Sequence, residues 1–142
     1  LHLGGRQYAL GQSHKHLPEM VKLCGLKNAP VFSPIVVPHL SGMEVTVQVF
    51  ASELKGGLKA VKECYHAYYA NGGLVKYVDD SSEGGFLSSA AFSGRDDLEV
   101  AAYGNDERVI LVSRFDNLGK GASSAAIENM NIAMGFDIST AL

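Results

Sequence analysis

The densest polar cluster in the chain is His14-Lys15-His16-Leu17-Pro18-Glu19, which sets two histidines and a carboxylate within six residues. Three readings of it stand open. A metal site is one, but two histidines and one acid fall a donor short of a closed tetrahedral site, and no fourth donor follows nearby. Surface or satisfied core histidines are the second. The third is a general acid/base at a helix entry, because imidazole titrates near neutral pH. That chemistry needs a nucleophile, and neither Cys24 nor Cys64 is spaced to supply one: there is no CxxC and no adjacent His–Cys pattern.

Asp116-Asn117 is the second chemical feature. It precedes Leu118-Gly119-Lys120-Gly121-Ala122 and a helix whose first turns are small residues. Both types are favoured helix caps, and a cap on a loop can also aim its amide at a ligand. Gly119-Lys120-Gly121 lacks the GxxxxGK[ST] spacing of a phosphate loop. A helix start as lean as Ala122, Ser123, Ser124, Ala125 and Ala126 lets another backbone or a flat ligand approach closely.

The elements that must hold these residues can be read along the chain. Gln7 to Leu10 reads as a short strand ending at Gly11. A short helix then runs through about Cys24, with Pro18 at its first position and Gly25 closing it. Val31 to Val37 reads as extended chain, and Pro34 and Pro38 argue for an edge or an irregular strand. Met43 to Phe50 alternates as a strand, with Val45, Val47 and Val49 on one face and Glu44, Thr46 and Gln48 on a wet or functionally lined face. Leu58 to Ala70 carries apolar residues at 58, 61, 65 and 68, the stripe of an amphipathic helix lying on a sheet, with Lys55, Lys59 and Lys62 solvated. Leu74 to Val78 reads as a strand and Asp79 to Gly85 as a loop. Leu98–Tyr103 and Arg108–Ser113 flank Gly104-Asn105-Asp106-Glu107 as a hairpin. The last helix stops at Gly135. The sum is an α+β fold, a mixed and largely antiparallel sheet with helices on one face. One sheet face still needs a partner, either another domain or a second copy of the chain.

The bulk properties set the outer bounds. A length of 142 residues with 46% hydrophobic content fits one domain over positions 1–142. With 19% charged residues and a net charge of −3, no basic face invites nucleic acid or an anionic membrane. No apolar run approaches a membrane span, and Leu1-His2-Leu3-Gly4-Gly5 lacks the basic start and apolar stretch of a signal peptide. Two cysteines point to a reducing compartment, with both thiols expected to pack as small hydrophobes. The opening without methionine fits a piece of a longer protein.

Ser13-His14-Lys15-His16-Leu17-Pro18-Glu19-Met20 resembles the H-[RK]-H-x-P-E-[IV] signature of N-acetyl-γ-glutamyl-phosphate reductases. Val31-Phe32-Ser33-Pro34 and Leu40-Ser41-Gly42-Met43 resemble two further segments of that family. Asp116 to Ala122 and Glu128-Asn129-Met130-Asn131 resemble its D-N-L-x-K-G-A and [QE]-N-[ML]-N segments. The D-N-L-x-K-G-A segment is shared with aspartate-semialdehyde dehydrogenases, which keeps an aspartyl-phosphate enzyme as the alternative; the H-x-H-x-P-E segment separates the two.

The resemblance implies a glyceraldehyde-3-phosphate-dehydrogenase-like C-terminal domain that follows a Rossmann domain and builds the interface of a dimer or tetramer, its last helix packing back on the nucleotide domain. It implies that a cysteine attacks the acyl phosphate of a small-molecule substrate, expelling phosphate, and that NADPH reduces the resulting thioester. By motif match His14 is the catalytic acid/base. His16 and Glu19 line the substrate pocket, Asn117 approaches the nicotinamide carboxamide, and Lys120 and Gly121 belong to the loop beside it. No resident metal is implied. The family's G-C-[YN]-[PA]-T cysteine segment and G-x-x-G-x-x-G fingerprint do not occur here, so both are expected upstream of Leu1. The chain by itself is then expected to be inactive and to bind NADP weakly, and a purely non-catalytic dimerisation module is the other reading of it as it stands. A bacterial cytoplasm is the expected compartment, with an organelle also compatible. Gly119 departs from the family's branched residue, which puts the local packing in question.

Overall fold

The computed structural model describes residues 4–142; Leu1, His2 and Leu3, part of the signal-peptide reading, lie outside the described residues. Two compact units carry the chain, one ending at His39 and the other spanning Leu40–Leu142.

The first unit holds strand β1 (Arg6–Gln7), helix α1 (His16–Cys24) and strand β2 (Ile35–Val36). β1 and β2 pair antiparallel, Arg6 with Val36 and Gln7 with Ile35, and Tyr8 N–H adds a bond to the Pro34 carbonyl at 3.1 Å. The ladder stops there because Ala9 turns left-handed at φ 53°, so the strand expected over Gln7–Leu10 is shorter and earlier. Gln12 then acts as a side-chain rung. Its Nε2 donates to the Phe32 carbonyl at 2.7 Å and its Oε1 accepts from Phe32 N–H at 2.9 Å. Helix α1 begins two residues before Pro18. Proline is tolerated there because the first-turn N–H groups have no partner inside the helix. Gly25 ends the helix in the left-handed conformation, as its type predicts.

In the second unit, β3 (Met43–Phe50), β4 (Val75–Tyr77), β5 (Leu98–Gly104) and β6 (Arg108–Phe115) form one sheet in the order β3-β6-β5-β4. The β3–β6 and β5–β6 pairs are antiparallel and β4–β5 is parallel, which gives the mixed, largely antiparallel sheet expected from the sequence. The hairpin turns on Asn105, whose Oδ1 accepts from Glu107 and Arg108 N–H, both at 2.9 Å. Gly104 is required beside it: at φ +143° an added Cβ would sit 2.1 Å from the Arg108 carbonyl oxygen.

Helix α2 (Gly57–Tyr69) packs on β4 and β5, with Tyr65 edge-on to Tyr77 at 6.2 Å between ring centres. Leu58, Val61 and Tyr65 are half-buried, but Tyr68, the last member of the expected stripe, is 77% exposed. On the Arg114 face of the sheet, Phe92 of the short 3-10 turn Ser89–Phe92 stacks its ring 5.3 Å from the Arg114 guanidinium. Arg114 is buried there with Glu99. Its Nη2 donates to Glu99 Oε1 at 2.9 Å and to Ser81 Oγ at 2.8 Å, so the pair is hydrogen-bonded as burial demands.

Two expectations change. Both faces of β3 are open to solvent: Val45 is 39% and Val47 50% exposed, Thr46 and Gln48 are exposed on the opposite face, and Val49 and Glu44 are half-buried. Burial lifts the Glu44 carboxyl above its ordinary range, against the pull of Arg114. Cys24 and Cys64 are both exposed, not packed inside. Cys24 lies in the last turn of α1 and Cys64 on a helix with no fully buried residue, so neither reaches a core.

Helix α3 (Ser124–Met134) follows a π-helical turn over Gly119–Ser123 and ends at left-handed Gly135. Ser124 Oγ bonds Asp96, and Asn131 Nδ2 donates to the carbonyls of Ile138 and Thr140 at 3.2 and 2.9 Å. These polar contacts hold the helix while Met130, Met134 and Phe136 stay exposed.

Candidate functional site

Local geometry in the first unit gathers the two histidines. The rings of His14 and His16 lie 4.6 Å apart at their centres, and Phe32 and Tyr8 flank His14 at 5.2 and 5.7 Å. His16 N–H donates to His14 Nδ1 at 3.2 Å. A backbone N–H can only donate, so the neutral His14 ring carries its proton on Nε2. His14 is half-buried and lines an open depression of about 520 Å³ with Gln12, Ser13, Leu17, Pro18 and Val21. His16 is half-buried outside that lining, and Glu19 is exposed on α1. Among the described residues no three His, Cys, Asp or Glu side chains gather as a metal site, so His14, His16 and Glu19 do not converge as a donor set.

In the second unit the Asp116-Asn117 step leaves the end of β6 and runs into the π-helical turn. Asp116 is 2% exposed, and its carboxylate accepts four hydrogen bonds. Oδ1 takes the N–H groups of Leu118 and Gly119 at 2.7 and 3.0 Å, an Asx turn ahead of the π-helical turn, whose own N-cap position is Leu118. Oδ2 takes Ser41 Oγ at 2.8 Å and Gly94 N–H at 2.5 Å. The donors of Gly119, Gly94 and Ser41 hold the carboxyl well below the usual carboxylate range, overcoming burial.

Asn117 does not cap the helix. Its Oδ1 accepts Gly42 N–H at 2.9 Å, and the residue is exposed. Lys120 is nearly buried, and its ammonium is paired with Glu128 on α3, so its charge is already matched. Gly121 lies against the Phe115 ring, where a Cβ would come within 3.2 Å of Cε2. Gly119 presses on the chain as well, with a built Cβ 2.8 Å from the Arg95 carbonyl oxygen. That resolves the packing question it raised: the backbone near Arg95 occupies the space a branched side chain would need.

Sequence reasoning assigned no role to Ser41, Gly42, Gly94 or Glu128, although two of the segments containing them were singled out. The missing signal was register. Met43 pairs with Phe115, which sets Ser41-Gly42 against Asp116-Asn117, and long-range strand pairing is not written in either segment alone.

These elements define a class. Residues 3–117 match the family model described as the semialdehyde dehydrogenase, dimerisation domain, and the chain belongs to that family. Among curated relatives, it is 38% identical over 89% of its length to an N-acetyl-gamma-glutamyl-phosphate reductase of Allorhizobium ampelinum. It is 37% identical over 90% of its length to the proteins of that name in Brucella ovis and Brucella canis. The chain spans 43% of the length of each of these relatives.

Proposed function

We propose that this chain is the C-terminal part of an N-acetyl-γ-glutamyl-phosphate reductase, which reduces N-acetyl-glutamyl 5-phosphate to the semialdehyde with release of phosphate, a step of arginine biosynthesis. The observation that carries the reading is the His14 setting: a half-buried imidazole on an open depression, its Nδ1 tied to the His16 amide and its Nε2 left to exchange a proton. The relatives' printed name and the separating H-x-H-x-P-E segment support the same substrate over aspartyl phosphate.

In this mechanism His14 Nε2 takes the proton of the attacking thiol as phosphate leaves and returns it to the oxygen of the reduced carbon. It takes that proton back as the carbon–sulfur bond breaks and the semialdehyde departs. The thiol and the nucleotide fold belong to the remainder of the enzyme, a Rossmann domain. His16 lies edge-on to His14 and presents the amide that orients it, and both it and Glu19 border the substrate. NADPH, when bound, would supply the hydride and leave as NADP. The residues fit it unequally. The exposed Asn117 amide suits the carboxamide of a nicotinamide, whereas Lys120, paired with Glu128, offers no free charge to a phosphate. Lys120 and Gly121 then shape the loop that carries Asn117.

The exposed valines of β3 suit a second copy of the chain, giving a homodimer or a tetramer, and the exposed methionines of α3 suit the nucleotide domain. No helix among the described residues is long and apolar enough to cross a membrane, and a bacterial cytoplasm is the compartment this chemistry fits. The test is substrate preference in the full-length enzyme. Preference for N-acetyl-glutamyl phosphate over aspartyl phosphate is expected, and the reverse order would replace this reading with the aspartate enzyme.

A further inference from the structure

Asn117 carries two distinguishable atoms at the end of its side chain, a carbonyl oxygen that accepts and an NH2 that donates. The protein has already used one of them. Gly42 N–H lies 2.9 Å from Oδ1, and because that partner can only donate, the amide cannot be turned the other way without setting donor against donor. Gly42 is itself fixed. Its φ is +107°, and a built Cβ would stand 2.3 Å from the Ser89 carbonyl oxygen, so only glycine places an N–H here. Next to it, Ser41 Oγ donates to Asp116 and lies 2.6 Å from Ser93 Oγ. Ser41-Gly42 and Asp116-Asn117 thus grip each other residue by residue, side chain to side chain and amide to side chain.

We propose that Ser41-Gly42 is a positioning element that locks the Asn117 amide with its NH2 outward, so that this loop recognises a hydrogen-bond acceptor and not a donor. The inference rests on the reading of Asn117 as a cofactor contact. For a nicotinamide it selects the carboxamide oxygen as the recognised atom and leaves the carboxamide NH2 to other groups. Asn117 Nδ2 makes no hydrogen bond among the described residues, so the outward donor is not already committed.

Two readouts in the full-length enzyme test this without relying on turnover. The first is exchange of the Gly42 amide proton, followed by NMR. It should be protected in the wild type and in Asn117→Asp, which keeps an accepting oxygen, and exchange at least roughly tenfold faster in Asn117→Ala. Equal protection in all three overturns the lock. The second is calorimetric binding of NADPH beside two analogues. The 3-acetylpyridine form keeps the carbonyl oxygen but lacks the NH2; the thionicotinamide form keeps the NH2 but replaces oxygen by the weaker acceptor sulfur. The wild type should bind the acetylpyridine form within about threefold of NADPH and the thio form roughly tenfold more weakly, and Asn117→Asp should weaken NADPH itself by roughly tenfold or more. The opposite analogue order overturns the donor assignment while leaving Asn117 at the cofactor. Unchanged NADPH binding in Asn117→Asp removes Asn117 from the cofactor altogether, and with it the reading on which the inference rests.

Discussion

Ser41 Oγ donates to the buried carboxylate of Asp116 at 2.8 Å, which ties the entry of β3 to the exit of β6. The same carboxylate holds the Gly94 loop and the first turn toward α3, so one side chain joins three segments. Removing the hydroxyl in Ser41→Ala should cost about 1.5–3 kcal/mol, the usual worth of a bond to a charged group. Asp116→Asn should cost more, because its NH2 would face donors. Urea unfolding of both variants checks the order, and an Asp116→Asn cost below that of Ser41→Ala would contradict it.

Asp97 governs part of the acid limb of stability. Arg95 foremost, and then Lys76, hold its carboxyl down at about 2, from an ordinary 3.8. A carboxyl depressed by folding is protonated first in the unfolded chain. Its contribution is therefore full above about pH 4 and is lost as the pH falls through about 2. Arg95 and Lys76 are about half exposed, so solvent and salt keep the contribution at or below about 2 kcal/mol. Asp97→Asn should flatten the stability profile between pH 4 and pH 2 relative to wild type. A profile parallel to the wild type would contradict the assignment.

The Arg114–Glu99 pair is buried on the sheet, with side chains 3% and 9% exposed. Truncating one partner leaves the other charge without compensation, so Arg114→Ala should destabilise by about 3–5 kcal/mol. The double variant Arg114→Met with Glu99→Leu should recover much of that loss, which denaturant midpoints will show.

Val45 and Val47 stand exposed on edge strand β3. Val47→Lys in the full-length enzyme should shift sedimentation from dimer or tetramer toward monomer while leaving the monomer's thermal unfolding near wild type. An unchanged oligomer would place the subunit contact elsewhere.

Much of this fold was legible where the signal is local. The β5–β6 hairpin announces itself through its turn residues, α1 and α3 through the glycines that end them, and β3 through alternation over its whole length. The misreadings arose where distant pairing decides. The alternation of β3 promises one wet face, but α2 lies over β4 and β5 and β3 is an edge strand, so residues on both of its faces are exposed. Tyr68 sits on the expected apolar stripe of α2 yet is exposed. At the candidate site, His14 and Asn117 stand out by type, while the partners that orient their side chains do not. His14 is oriented by a backbone amide two residues on, which composition cannot display. Asn117 is oriented by Gly42, 75 residues away, and only the β3–β6 register brings them together.

The most direct measurement is the rate of NADPH-dependent reduction of N-acetyl-glutamyl phosphate by the full-length enzyme and its His14→Asn variant, with NADPH affinity and unfolding followed in parallel. Turnover should fall by roughly 100-fold or more, the typical worth of a positioned acid/base, while NADPH affinity and stability stay near wild type. A His14→Asn enzyme that turns over at the wild-type rate would contradict the assignment of His14 as the group that moves the proton.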